Sequence, residues 1–298
     1  MIASMNTSEK TLRGHLLALL CVVVWGTTFI ASKRLLGIYT PVQLMFLRFT
    51  AAYVVLWALY PRWEKPIWRE ELALLLMGLT GCTLYFWTEN TALTLTTAAN
   101  VSTIVAMAPL MTAILAHIVS KGAQPLGRHI WIGFAAAFAG VILVVFNGAF
   151  VLRLSPAGDL LALGTAVLWA VYCIQQSYIL ARRSSLFVTR KVMFYGIVTS
   201  LPLMLDSGFR DLTLRPLFSS GTELACFLFL AVLGSALCYL AWAGAERLLG
   251  PVVTSNYVYA IPFVTLAASA FFLDEPISAA GVIGAVLIVA GVWISSKQ

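Results

Sequence analysis

The sequence predicts an all-α integral membrane protein of ten transmembrane helices, arranged as two inverted five-helix repeats. Three observations predict it. First, 61% of the 298 residues are hydrophobic and 10% are charged, with a mean hydropathy of +0.93; soluble domains carry about 25% charged residues. Second, apolar runs of about 20 residues, the length that spans a bilayer as helix, recur along the whole chain. Third, the chain is written twice. Residues 16–25 (LLALLCVVVW) return as 160–169 (LLALGTAVLW), Pro109-Leu-Met-Thr112 returns as Pro262-Phe-Val-Thr265, and Gly133 with Gly140 return as Gly284 with Gly291. The order is kept and the offsets are 144, 153 and 151 residues, which divides the chain into repeats at 1–150 and 151–298.

Ten spans follow in order: 14–33, 41–60, 71–94, 97–119, 128–149, 158–181, 186–205, 223–246, 251–273 and 277–296. All should be helical, because an open backbone cannot cross hydrocarbon with its polar groups unpaired. Span one follows Lys10 and Arg13, and its apolar run of about 19 residues is too long for a cleaved signal peptide. Span two carries Arg48 and span three carries Glu89, the only acid expected well inside a span. Spans four and nine contain Pro109 and Pro262 near their middles. Each proline removes a donor and crowds the carbonyl four residues back, so both spans should kink and free the carbonyls of Val105 and Val258. Spans five and ten carry the paired glycines, a spacing of small residues that lets membrane helices approach closely. The longest connection, around 206–222, holds Asp206, Arg210, Asp211 and Arg215.

Basic residues sit mostly in short loops. With the N-terminus in the cytoplasm, thirteen Lys and Arg fall inside and five outside, a bias that places both termini in the cytoplasm. The net charge of +7 forms no continuous basic face, so the expected partner is the lipid bilayer and not nucleic acid. Cys21, Cys82, Cys173, Cys226 and Cys238 all fall in apolar runs without C-x-x-C spacing, and His15, His117 and His129 are scattered. Neither a disulfide framework nor a metal or other cofactor is expected.

Five spans per half is an odd number, so the second copy must enter the membrane from the opposite side. Inverted repeats are the hallmark of secondary transporters, with the substrate near the midplane where the repeats meet. Candidate substrate-binding residues are the mid-span Trp25 and Trp169, Tyr85 one turn before Glu89, Glu89 itself, Trp242 at the matching position of the second copy, Thr103, Asn256 and Tyr259. Glu89 lies about 27 Å along its helix at 1.5 Å per residue, a depth similar to that of Arg48. It either pairs with Arg48, contacts substrate or carries a proton. Asn256 either touches substrate or a neighbouring helix, and one of Gln175 and Gln176 faces inward. No H-E-x-x-H, G-x-S-x-G, Walker A or G-x-G-x-x-G motif is present, so neither an enzyme nor ATP-driven pumping is expected.

These residues resemble the drug/metabolite transporter superfamily, in particular its EamA-domain members. The resemblance rests on the Trp25 region, Pro41 with Leu47-Arg48-Phe49, Glu89-Asn90-Thr-Ala-Leu93 leading to Ala99, Pro109, Gly133 and Gly140, Trp169, Pro262, Asp274-Glu275-Pro276, and Gly284 and Gly291. It covers nearly the whole chain. It implies ten helices in two inverted repeats, a central cavity lined by the first four helices of each, a bacterial inner-membrane location and export of small metabolites; similar proteins include aromatic amino-acid exporters. One departure is the loop Ser120-Lys-Gly-Ala-Gln124, which lacks the acid that Glu275 supplies before span ten. The expected function is export of a small-molecule substrate, an aromatic or neutral amino acid, by a monomer. Cationic drugs, which aromatic rings bind through cation–π contact, and nucleotide-sugar-like solutes are the alternatives within transport. A channel, a membrane scaffold and an intramembrane enzyme are the alternatives outside it.

Overall fold

A computed structural model describes residues 7–62, 66–96, 98–122, 127–146, 155–273 and 279–296. Among them every regular element is helical. Asp274-Glu275-Pro276, and Ala123 and Gln124 of the loop before span five, lie outside the described residues. In order, the helices are α1 (Thr7–Leu35), α2 (Pro41–Leu59), α3 (Trp68–Leu95), α4 (Ala98–Val105), α5 (Ala108–Val119), α6 (Arg128–Phe146), α7 (Pro156–Leu180), α8 (Ser185–Leu203), α9 (Arg215–Ser219), α10 (Gly221–Leu249), α11 (Pro251–Ser255), α12 (Ile261–Leu273) and α13 (Ala279–Ser296).

Six of the described helices, α1, α2, α3, α7, α8 and α10, are long and apolar enough to cross a membrane. The stretches read from sequence as the other four spans hold α6 and α13, of 19 and 18 residues, and two interrupted helical segments, none of them among those six. In the first interruption α4 stops at Val105 and α5 restarts at Ala108; in the second a 3-10 stretch, Asn256–Ala260, separates α11 from α12. Pro109 and Pro262 occupy the second position of α5 and α12. The kinks expected at the prolines are thus breaks in the turn before them, where the missing donor would have bonded. The Val258 carbonyl is not left free: the tighter 3-10 register lets it accept from the Ile261 N–H.

Two further interruptions leave no trace in the apolar pattern. α3 is wound as π-helix over Leu79–Leu84 and α10 over Phe229–Leu237. They coincide in the repeat, with Gly81 and Gly234 occupying matching positions 153 residues apart.

Two faces of the bundle can be followed by polar contacts. At one face the N-terminus of α1, the C-terminus of α10 and the N-terminus of α8 meet, since Arg13, Arg247 and Ser184 line one groove. There Arg190 donates to the carbonyls of Tyr60 and Arg62, and Lys191 pairs with Glu71 at 2.7 Å. At the other face Lys33 donates to the Thr96 carbonyl at 3.2 Å and Gln43 to the Gly208 carbonyl at 2.9 Å. Gly158, at the start of α7, abuts Leu95 and Thr96 of this same face. α1 and α7, the first helices of the two halves, therefore run in opposite directions.

The packing is symmetric under exchange of the halves. α1 packs on α10 as α7 packs on α3, α1 on α12 as α7 on α5, and α2 on α10 as α8 on α3; α2 meets α8 and α6 meets α13. Two ion pairs obey the same exchange. Arg34 of α1 binds Glu223 of α10 at 2.8 Å on one face, and Arg183 after α7 binds Glu70 of α3 at 2.7 Å on the other. The paired glycines do the work expected of them: a Cβ on Gly140 would fall 2.5 Å from the Gly284 carbonyl oxygen, and one on Gly291 2.5 Å from that of Gly133. All five cysteines are free thiols.

Candidate functional site

Where the halves meet, five rings stack into a plug. Trp25, Trp169, Trp242, Tyr172 and Tyr239 lie with centroids 5.0–6.0 Å apart, mostly edge-to-face or tilted. Aromatic pairs favour such geometry over a face-to-face sandwich. The π segments tie the plug to the helices. Each shifted register frees backbone carbonyls, and two of these are taken by plug donors: the Trp25 indole N–H donates to the Gly234 carbonyl at 2.9 Å and the Tyr239 hydroxyl to the Gly81 carbonyl at 2.7 Å. Gly81 must be glycine, because a Cβ there would lie 2.2 Å from the Tyr172 ring. Trp169 is the repeat counterpart of Trp25, yet its indole N–H is buried with no partner.

Beside the plug is a cavity of about 30 Å³, room for one or two waters. Its walls come from both halves: Trp25, Thr28, Phe29, Arg48, Tyr85, Phe86, Glu89 and Val105 from the first, Trp169, Tyr239, Val258 and Ile261 from the second. Arg48 is 3% exposed; its Nε donates to the Ser235 hydroxyl and its guanidinium lies 4.4 Å from the Phe86 ring centre. Glu89 is 7% exposed, faces the Tyr85 hydroxyl one turn earlier, and leaves Oε2 without a hydrogen bond. Glu89 and Arg48 share the cavity, but among the described residues they form no ion pair with each other.

Of the expected site residues, Trp25, Tyr85, Glu89 and Trp169 line this cavity. Trp242 is in the plug, 5.0 Å from Trp25, but is not a cavity wall; Tyr239, one turn earlier, is. Tyr259 turns away from the cavity and packs on Phe134, in a cluster with Ala106, Ala137 and Ile288. Its neighbours Val258 and Ile261 face the cavity instead. The cause is the 3-10 winding, which advances about 120° per residue against 100° for an α-helix. Asn256 is buried but is not a cavity wall. The side chain of Thr103 lies outside the described residues. Pro109 and Pro262 do not touch the cavity; Val105 and Val258, four residues before them, do.

Glu89 is also not the only acid inside the bundle. α10 continues to Leu249, and Glu246 is 3% exposed with neither carboxylate oxygen hydrogen-bonded. The sequence placed it at a span end, where an acid would meet water. Gln176 is the inward glutamine, fully buried, while Gln175 accepts from Thr80 at 3.1 Å.

A multi-pass helical bundle with a buried charged cavity shared by two like halves is the architecture of a membrane carrier. The chain belongs to the EamA-like transporter family, whose model matches it twice, over residues 12–146 and 156–297. It is 30% identical to an uncharacterized transporter of Archaeoglobus fulgidus, over 95% of this chain and 97% of that one. It is 27% identical to a probable amino-acid metabolite efflux pump of Escherichia coli, over 94% of this chain and 93% of the relative. A solved crystal structure of 19% identity shares the fold with a TM-score of 0.72, covering 95% of this chain and 98% of that one. The protein is thus a multi-pass membrane protein of a transporter family.

Proposed function

We propose that this protein is a secondary transporter that exports amino acids with aromatic or neutral side chains across the bacterial inner membrane. In this reading it is a monomer with both termini in the cytoplasm, ten helices, and two inverted five-helix repeats at 1–150 and 151–298. The observation that carries the substrate class is Glu89 facing the same cavity as Arg48 without pairing to it. A carboxylate and a guanidinium held apart complement the ammonium and carboxylate of a zwitterion, and the Trp25, Tyr85 and Trp169 rings suit its side chain. The unpartnered Trp169 N–H supplies a further donor. An organic cation would fit the rings and Glu89 but would meet the Arg48 charge. The relative named a probable amino-acid metabolite efflux pump supports the same choice.

The antiparallel course of α1 and α7 and the exchange-symmetric packing support inversion. A cavity of about 30 Å³ is far below the ~300 Å³ of ordinary ligand sites, so substrate entry requires one face to open. Arg34–Glu223 and Arg183–Glu70 are placed to act as latches, one per face, and both are closed. With no ATP-binding motif, the substrate gradient or an ion gradient drives the cycle. The test is uptake of radiolabelled L-phenylalanine, L-leucine and a cationic dye into proteoliposomes, with wild type, Glu89→Gln and Arg48→Gln. Amino-acid uptake that either substitution weakens is expected; uptake of the dye alone, improved by Arg48→Gln, would overturn the reading.

A further inference from the structure

Glu246 belongs to a second patch of buried polar groups that the cavity does not include. Six buried side-chain atoms there have no partner within hydrogen-bond distance: both Glu246 oxygens, the oxygen and nitrogen of the Gln176 amide, the Tyr172 hydroxyl and the Trp242 indole N–H; at longer range the Tyr172 hydroxyl faces the Gln176 amide and the Trp242 N–H faces Cys173. They come from two helices packed on the same plug. Tyr172 and Gln176 are one turn apart on α7, and Trp242 and Glu246 one turn apart on α10, so each pair shares a helix face. Glu246 is within electrostatic reach of Tyr172 and Cys173, and among the described residues it has no cation within ion-pair distance. Scattered unpaired polar atoms are ordinary in a large fold; a buried carboxylate with both oxygens unpaired, beside Tyr172 and Cys173, is not what packing selects.

Their position along the route is defined by the two halves. Glu89 lies six residues before the end of α3, and Glu246 three before the end of α10. Those two helix ends are at opposite faces, because α10 ends beside Arg13 and Ser184 whereas α3 ends beside Lys33. The repeat register aligns Glu89 with Trp242, so Glu246 stands one turn further along the corresponding helix. The plug therefore separates one acid from the other.

We propose that Glu246, Gln176, Tyr172 and Trp242 form a second substrate station, which binds the ammonium group of the solute at the face of the plug turned away from Glu89. Resting on the amino-acid reading above, it deepens that reading: the first station serves the outward-facing state and this one receives the solute from the cytoplasm. Glu246 is the counter-charge for the ammonium, with the Gln176 oxygen and Tyr172 hydroxyl as further acceptors. Trp242 offers its ring to the cation and its N–H, with the Gln176 nitrogen, to the carboxylate.

Sided transport tests it. Inside-out and right-side-out membrane vesicles holding the full chain are compared for uptake of radiolabelled L-phenylalanine. Glu246→Gln should raise KM at least about tenfold when the solute enters from the cytoplasmic face and leave it within about twofold from the other face. Gln176→Leu, which replaces an unpaired amide by an apolar group, should give a smaller shift of the same sidedness with full folding. Equal shifts from both faces, or none in either variant, would overturn the station. If wild type transports no amino acid, the functional reading above fails, and the station is tested separately by carbodiimide modification of Glu246 followed by mass spectrometry. Protection by phenethylamine supports it, and modification unaffected by phenethylamine refutes it.

Discussion

The reciprocal ion pairs make a prediction of sign as well as size. Arg34 grips Glu223 through three N–H···O contacts of 2.8–3.1 Å, with the Arg34 side chain 52% exposed. Solvent screens an exposed pair of this kind, so its contribution is small. Glu223→Gln should therefore move the balance toward the state open on that face by a modest factor, about two- to fivefold. Arg183–Glu70 is less exposed and is flanked by Lys191–Glu71, so Glu70→Gln should shift the balance at least as far, toward the opposite face. Spin labels at the two ends of the bundle, read by double electron–electron resonance, report the opening of each. Opposite shifts are the expected result. Shifts toward the same face in both variants would refute the reasoning, because latches related by exchange of the halves cannot both guard one side.

Three other substitutions probe the site and its frame. Glu89→Gln removes a charged partner of the solute, a contact of about 1.5–3 kcal/mol, so KM for L-phenylalanine should rise roughly 10- to 150-fold in proteoliposomes. Gly140→Ala would press a methyl group against the Gly284 carbonyl and the Ile288 nitrogen, 2.5 and 2.8 Å away; overpacking of this kind costs about 1–3 kcal/mol, visible as a lower unfolding temperature in detergent. Tyr239→Phe leaves the Gly81 carbonyl without its 2.7 Å donor and should destabilise by about 1–3 kcal/mol in the same assay.

The coarse architecture could be read from the chain because hydrocarbon imposes it: length, apolarity and loop charge follow from the solvent, and a duplicated tryptophan or glycine pair reports the repeat. That Trp25, Glu89 and Trp169 line the cavity was legible because an acid and mid-span indoles are costly unless they face something polar, and Tyr85 follows from its place one turn before Glu89. Tyr259 was misplaced by one position, since a short 3-10 stretch rotates every later side chain and carries no compositional mark. The π turns around Gly81 and Gly234 were missed for a related reason: a change of hydrogen-bond register keeps the same apolar residues. Glu246 was hidden by its distance from the apolar run's centre, and only the extension of α10 past it buries the carboxylate. Arg34–Glu223 and Arg183–Glu70 needed both the repeat offset and the opposed helix directions before they became a pair of pairs.

Val105 is the position for the decisive measurement, a small cavity-lining side chain at the break between α4 and α5. A Val105→Cys variant in sealed vesicles of each orientation, treated with a membrane-impermeant maleimide, reports which face reaches the cavity. Labelling from both faces, slowed in each case by L-phenylalanine, is the predicted outcome. Labelling from neither face, or labelling that the amino acid leaves unchanged, would contradict a carrier with one shared, alternately open site.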